Sequence, residues 1–370
     1  MKNILFLGPY HQYDGWGEAA KDYLRALQLT EHNIVARPVT MSANRKHTLE
    51  FSELTAKQLD SPPDVIIQNV LPHLLDYQPN MHNIGLFYIE TNHLQHTGWI
   101  TQINLLDEAW VASNKERDIL VQCGVTIPIR VIPMPINTKE LDRDVDPFQL
   151  PCNDNDFIFY FIGEYVSRKN IMALVMAFNR EFYTTENAHL LLKLNKSNVA
   201  PDAVRDLIQE TIGAFKKNLR LYKTVKGYKP EFTITKHLSM EELSSLHKRC
   251  NCFVSASRGE SLSRPVMDAA YFGNDIIVTD NTGMSDIGRQ FGYTVSSHET
   301  PAYAPDAPLD TLYTAHETWQ EIDVISLQVA MREAYNNRNN LTSKERLLRG
   351  DIVAEQYSYN NIAQLMKQYL

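Results

Sequence analysis

Two carboxylates frame a proline in the segment RGESLSRPVMDAA, where Glu260 stands before Pro265 and Asp268 three residues after it. The apolar run CFVSAS at 252–257 reads as a strand leading into this segment. Pro265 fits the first turn of a following helix, because the N–H it lacks has no helical partner there. The free N–H groups of that turn, around Ser263, Arg264 and Pro265, combine with the positive end of the helix dipole into an anion site suited to a diphosphate. Asp268, one turn inside, can then reach hydroxyls of whatever the anion site holds, and Glu260 can face a second polyhydroxyl group. The plain alternative is a loop carboxylate and a helix-start carboxylate, both common for dipole reasons alone.

Four other segments carry chemistry-bearing side chains. FIGEYVSRKNIMAL contains Gly163 at the end of an apolar run and the basic pair Arg168 and Lys169 where a helix opens; a solvated surface pair is the competing reading. IGLFYIETNH brings Glu90, Thr91 and His93 to the end of a buried strand. His93 and His96 raise a zinc site, but no third ligand is suggested nearby and no metal is assigned. GPYHQYDGWGEAAKD places Gly15 and Gly17 in a loop ahead of a helix, where they suit close backbone approach or an ordinary turn. KKNLRLYKTVKGYK, 216–229, holds six Lys/Arg and two Tyr without an acid. It is read either as a contact for nucleic acid or a membrane surface or as a solvated helix end, and the second is favoured.

These groups need a scaffold, and the hydrophobic pattern supplies one twice over. Short apolar runs at 3–7, 34–36, 64–67, 84–89, 109–112 and 129–132 alternate with helix-length segments, which predicts a parallel sheet covered on both faces. After residue 136 the chain becomes acidic and aperiodic, and then the alternation restarts: strands at 157–163, 189–194, 231–235, 252–257 and 275–280, with helices near 170–182, 201–217, 240–249 and after Pro265. The expected organisation is an N-terminal Rossmann-like domain at 1–140, a linker at 141–156, a second Rossmann-like domain at 157–350 and a closing helix at 351–370. That last helix is expected to pack back towards the N-terminal domain. The stretch 298–318, with three prolines, is expected to be loop.

With 370 residues the chain exceeds one comfortable core, which agrees with two domains. Its 44% hydrophobic and 22% charged residues are those of a globular protein, and disordered and fibrous classes drop out. A net charge of −8 gives no global attraction to polyanions. No stretch reaches the roughly 18–20 apolar residues that cross a bilayer, and the start MKNILFLGPY reads as a buried strand and not a leader, so a cytoplasmic protein, at most peripheral to membrane, is expected. Cys123, Cys152, Cys250 and Cys252 are read as reduced structural thiols.

The ordered set of motifs resembles the family 4 glycosyltransferases, of the GT-B fold and glycosyltransferase group 1. Glu260 and Asp268 keep the spacing of that family's acidic pair, and Pro265, Ala269-Ala270, Gly273 and the TDNTG turn at 279–283 agree with it. LLDEAWVASNKERDILVQCGVTIPIRVIPMPIN, 105–137, looks like the family's last N-domain strands, with Ser113 and Asn114 read as helix caps. The resemblance implies a retaining glycosyltransferase that takes a hexose or pentose from a UDP- or GDP-sugar without a metal or resident cofactor, with the donor in a cleft between the domains. It implies Glu260 on the donor sugar, Asp268 on the ribose, and Lys169 and Arg168 against the diphosphate. Gly15, Gly17, Gly163, Ser263, Arg264 and Pro265 would line the donor, and Glu90 or His93 would lie over the reacting sugar. Two departures are plain: Glu164 stands where many members carry Arg, and Asp268 replaces the usual Glu. The acceptor stays open among glycan, lipid, protein, metabolite and nucleic-acid base, with a neutral acceptor favoured. Two other readings are a GT-B protein that only binds a sugar nucleotide and a dinucleotide-dependent oxidoreductase. The latter predicts G-x-G-x-x-G directly after the first strand, where Gly8 is instead followed by Pro9.

Overall fold

The apolar runs become the strands of two parallel sheets, one in each unit of the computed structural model, which describes residues 1–41, 48–307 and 312–370. The units are Met1–Asn137 with Ala354–Leu370, and Thr138–Val353.

The first unit contains β1 (Asn3–Gly8), α1 (Gly15–Gln28), β2 (Asn33–Pro38), α2 (Ser52–Ala56), β3 (Val65–Asn69), β4 (His82–Leu86), α3 (Trp99–Ile103), β5 (Glu108–Val111), α4 (Asn114–Gln122) and β6 (Ile129–Val131). Its sheet runs β2-β1-β3-β4-β5-β6 with every pair parallel. α1 starts because the Asp14 carboxylate accepts the Gly17 N–H at 2.7 Å, and it buries Ala20, Tyr23, Leu24 and Leu27. α4 starts with a capping box in which Ser113 and Glu116 satisfy each other's backbone N–H groups. Ser113 is therefore the cap and Asn114 the first helical residue.

The second unit contains β7 (Phe157–Glu164), α5 (Ile171–Glu181), β8 (Ala188–Asn195), α6 (Pro201–Leu219), β9 (Phe232–Ile234), α7 (Met240–Arg249), β10 (Cys252–Ser255), α8 (Arg264–Tyr271), β11 (Asp275–Thr279), α9 (Ser285–Phe291), β12 (Gly292–Val295), β13 (Ser297–Tyr303), β14 (Thr314–Ile322) and α10 (Val324–Asn336). The main sheet runs β12-β11-β10-β7-β8-β9. Side chains alternate along β7, so Phe159 meets Phe178 and Phe182 of the α5 segment while Tyr160 meets His247 of α7 on the other face. Helices thus cover both faces, as a parallel sheet requires.

α11 (Ser343–Gln356) and α12 (Tyr359–Lys367) end the chain. The single closing helix expected at 351–370 is two helices, because Ser358 takes an extended backbone and accepts the Asn361 N–H at 3.1 Å, starting α12 afresh. Within the first unit α12 lies on α1, with the Tyr359 hydroxyl donating to Asp22 Oδ1 at 2.6 Å.

Two further segments differ from the sequence reading. The stretch 298–318 expected to be loop instead overlaps the antiparallel ribbon β13–β14, whose register shifts between Pro301 and Tyr303; its residues 308–311 lie outside the described residues. A two-stranded ribbon is all edge, so a proline's missing N–H costs it little. Residues 141–156, read as linker, belong to the second unit: Phe148 N donates to Ser245 O at 3.0 Å and Arg249 Nη2 to Asn153 O at 2.7 Å.

Candidate functional site

In the second unit the chain builds β7, β8 and β9 outward on one side and β10, β11 and β12 outward on the other, so the strand order reverses between β7 and β10. In such sheets the loops leaving the two strands diverge at their carboxyl ends and leave a crevice. The β7 loop folds into one tight turn, Ser167–Lys169, followed by Asn170 at φ 51°. The β10 loop carries Arg258, Gly259 and Glu260 into α8.

The two loops meet on one carboxylate. Lys169 Nζ donates to Glu260 Oε1, and Arg168 Nη1 lies 3.1 Å from the same oxygen while donating to Gly259 O at 2.6 Å. Glu260 is 6% exposed. Burial pushes its pKa up, but the Lys169 ammonium and then the Arg168 guanidinium outweigh that and hold the carboxyl below its usual range. Glu260 is therefore an ionised hydrogen-bond acceptor and not a proton donor at neutral pH.

α8 begins beside this cluster. Ser263 occupies the cap with extended backbone and no side-chain cap bond, Arg264 and Pro265 form the first turn, and Asp268 is buried one turn further in. The loop is held from below by the TDNTG turn, where Gly283 N donates to Glu260 O at 2.8 Å. Gly283 is required by contact: a Cβ there would stand 1.6 Å from Ser261 O.

A second layer, absent from the sequence reading, ties the loops together. Arg258 Nε donates to Glu321 Oε2 and its Nη1 to Ser167 O, both at 2.5 Å, and Asn170 Nδ2 donates to Glu321 Oε1 at 2.8 Å. Ser167 N donates to Asp306 Oδ2 at 2.9 Å. Glu321 belongs to β14, and reading 298–318 as loop hid the strand that delivers it. Gly163 sits in the last turn of β7, paired with Leu194, and Glu164 Oε1 accepts the Ser197 N–H at 2.8 Å. Glu164 thus braces the loop after β8, which accounts for an acid at this position.

Residues 142–300 match the family described as Glycosyl transferases group 1. No curated protein matches the chain in sequence. Among solved structures, sucrose-phosphate synthase from Thermosynechococcus elongatus aligns with TM-score 0.67 at 15% identity, over 100% of this chain and 98% of that one. A glycosyltransferase from Rickettsia africae aligns with TM-score 0.65 at 13% identity, over 100% and 97%. A trehalose-6-phosphate protein from E. coli bound with UDP-2-fluoro glucose aligns with TM-score 0.62 at 11% identity, over 99% and 98%. At these identities the likeness is one of fold, and the fold is GT-B.

The second unit, which contains the matched segment, holds Glu260, Lys169, Arg168, Gly163, Ser263, Arg264, Pro265 and Asp268 around one end of its sheet. The other expected site residues lie in the first unit. Gly17 is pressed against the backbone, where a Cβ would stand 2.3 Å from Gln12 O, whereas Gly15 has nothing within 4 Å of the corresponding point. Trp16 between them meets Tyr88 edge-on at 4.5 Å, bringing the start of α1 to the irregular segment after β4. That segment carries Glu90 and His93, with Thr91 Oγ1 donating to His93 O at 3.0 Å.

The basic run 216–229 is not one surface. Lys216 is buried, donating to Glu231 Oε2 at 2.7 Å and Lys229 O at 2.8 Å, and Lys229 is buried against the carbonyls of Glu186 and Tyr183. Lys217, Arg220, Lys223 and Lys226 are exposed. Among the described residues, Cys152, Asp156 and His189 bring ligand atoms within 4.8 Å of one another. The Arg249 guanidinium donates to Cys152 Sγ at 3.3 Å, and a fixed positive charge there opposes a cation. No helix among the described residues is long and apolar enough to cross a membrane.

Proposed function

We propose that the chain transfers a hexosyl or pentosyl group, with retention and without a metal, from a UDP- or GDP-sugar to an acceptor hydroxyl. The observation that carries this reading is the buried Glu260 carboxylate clamped by Lys169 and Arg168 beside the start of α8. A diphosphate at that helix start meets the first-turn N–H groups around Ser263, Arg264 and Pro265, and the cations of Lys169 and Arg168 compensate charge as it leaves. Glu260, ionised, accepts a hydroxyl of the transferred sugar, and Asp268 accepts from the ribose. Gly163 lets the backbone approach the donor.

In this reaction the bond between the anomeric carbon and the diphosphate oxygen breaks, with the electron pair leaving on the diphosphate. The acceptor oxygen bonds to the same face of that carbon, and its proton passes to the departing diphosphate. The protein supplies position and charge. In the first unit, Gly15 provides open backbone, Gly17 permits the close turn against Gln12 that sets the loop, and Glu90 or His93 is the polar side chain assigned to the reacting sugar. A neutral acceptor is favoured, because two of the six basic groups in 216–229 are internal. Thermal unfolding in the presence of UDP, GDP, ADP and their sugars tests the reading. A melting temperature raised by UDP or GDP supports it, since a ligand bound only to the native state stabilises that state; no response to any nucleotide diphosphate overturns it.

A further inference from the structure

β8 reads AHLLLKLN, and in this apolar strand Lys193 is 8% exposed. Among the described residues its ammonium has no hydrogen bond or ion pair. Other buried lysines of the same unit are satisfied: Lys216 has Glu231 and a carbonyl, and Lys229 has two carbonyls. A desolvated charge without a partner is costly, and burial accordingly pushes the Lys193 pKa down. Nothing in the packing of β8 requires an amine at this place, since its neighbours in register are Ile162 and Ile234.

Its position supplies a reason. Lys193 stands two residues before the carboxyl end of β8, level with Ile162 just ahead of Gly163 and the turn that carries Arg168 and Lys169. Side chains alternate along a strand, so Lys193 shares a sheet face with Ile162 and Tyr160. That face is the one covered by α7, because Tyr160 Oη lies 2.7 Å from His247 Nδ1. Along the sheet the order β10, β7, β8 places Glu260, then Lys169, then Lys193 on successive strands or their loops. Lys169 and Arg168 already share the Glu260 charge, which leaves one net positive charge among the three. A nucleoside diphosphate brings more negative charge than that; of the two lysines at this end of β8, Lys196 already donates to Tyr165 O at 3.2 Å and lies 4.0 Å from Asp306 Oδ2, and Lys193 is the one with no such contact.

We propose that Lys193 is an additional donor-site residue whose ammonium binds a phosphate oxygen of the nucleoside diphosphate. This rests on the donor reading above. The partner missing from the folded chain is the ligand itself, and the cost of a buried amine is the consequence of keeping the site ready for it.

The test uses the full chain and Lys193→Met, which keeps the length and removes the charge, with Lys193→Gln as a second variant should the first fold poorly. Melting temperature and calorimetric affinity are measured with UDP, GDP, inorganic pyrophosphate and uridine, and Lys169→Ala is run alongside. The expected result is an unliganded melting temperature equal to or above that of the unaltered chain, diphosphate affinity at least tenfold weaker, and no effect on uridine. Diphosphate affinity within twofold of the unaltered chain in both variants overturns the proposal. An equal loss for uridine also overturns it, by moving the contact to the base. If Lys169→Ala weakens UDP or GDP and the Lys193 variants do not, the donor reading stands and this proposal alone falls; if the unaltered chain binds no diphosphate, both fall.

Discussion

Lys169 Nζ is hydrogen-bonded to Glu260 Oε1, joining residues 91 positions apart through two loops that leave neighbouring strands of one sheet. Glu260→Gln and Lys169→Ala are each expected to lower turnover by about a hundredfold or more, as loss of a preorganised electrostatic contact does. Lys169→Ala also leaves the buried carboxylate with one cation fewer and should cost about 1–3 kcal/mol of stability. Steady-state rates and urea unfolding measure the two effects, and near-normal turnover in both variants would remove these residues from the site.

Transfer should continue in EDTA. The helix start and the Lys169 and Arg168 cations are assigned the charge compensation that Mg²⁺ provides in other transferases. Activity that disappears in chelator and returns only with a divalent ion would contradict that assignment.

Gly283→Ala must displace the loop that carries Glu260, because the new Cβ would stand 1.6 Å from Ser261 O. A loss of about 3 kcal/mol is expected, together with loss of turnover. Gly213→Ala is the control: it lies inside α6, a Cβ there meets nothing within 4 Å, and stability should rise by about 0.5–1 kcal/mol. The sign of the two changes in the denaturant midpoint decides the matter.

His247 is buried between Tyr160 and Phe272, and burial pushes its pKa down from 6.5 to about 3. Below pH 6.5 the unfolded chain takes a proton that the native chain refuses. Stability from this group is therefore full above pH 6.5 and falls as pH drops towards about 3, by about 1.4 kcal/mol per pH unit for one proton. His247→Gln should flatten the dependence by that amount. Parallel stability curves for the two chains between pH 7 and pH 5 would show that His247 titrates normally.

The basic run separates by burial. Neutralising Lys217, Arg220, Lys223 and Lys226, all exposed, should leave transfer and its salt dependence unchanged. Lys216→Ala removes the cation from the buried Glu231 side chain, leaving it the Asn179 amide, and should cost about 3 kcal/mol. A duplex-DNA gel shift that vanishes in the fourfold variant would instead mark a polyanion surface.

The periodicity of short apolar runs determined both parallel sheets, because a strand buried on two faces has to be apolar throughout. The local chemistry of RGESLSRPVMDAA likewise determined a helix start with flanking acids, since Pro265 and the dipole act within a few residues. Tertiary structure alone decided which charges are satisfied. Lys216, Lys229 and Lys223 look alike in a run of basic residues, and only the fold puts Glu231 and the carbonyls of Tyr183 and Glu186 against the first two. Glu164 looks like a departure from a motif until the β8 loop brings the Ser197 N–H to it. Glu321 and Lys193 were equally hidden, one in a segment whose prolines disguised an edge ribbon, the other as a single charge in a strand. In each case the deciding partner is distant in sequence or, for Lys193, absent from the described chain, and burial is a property of the assembled sheet.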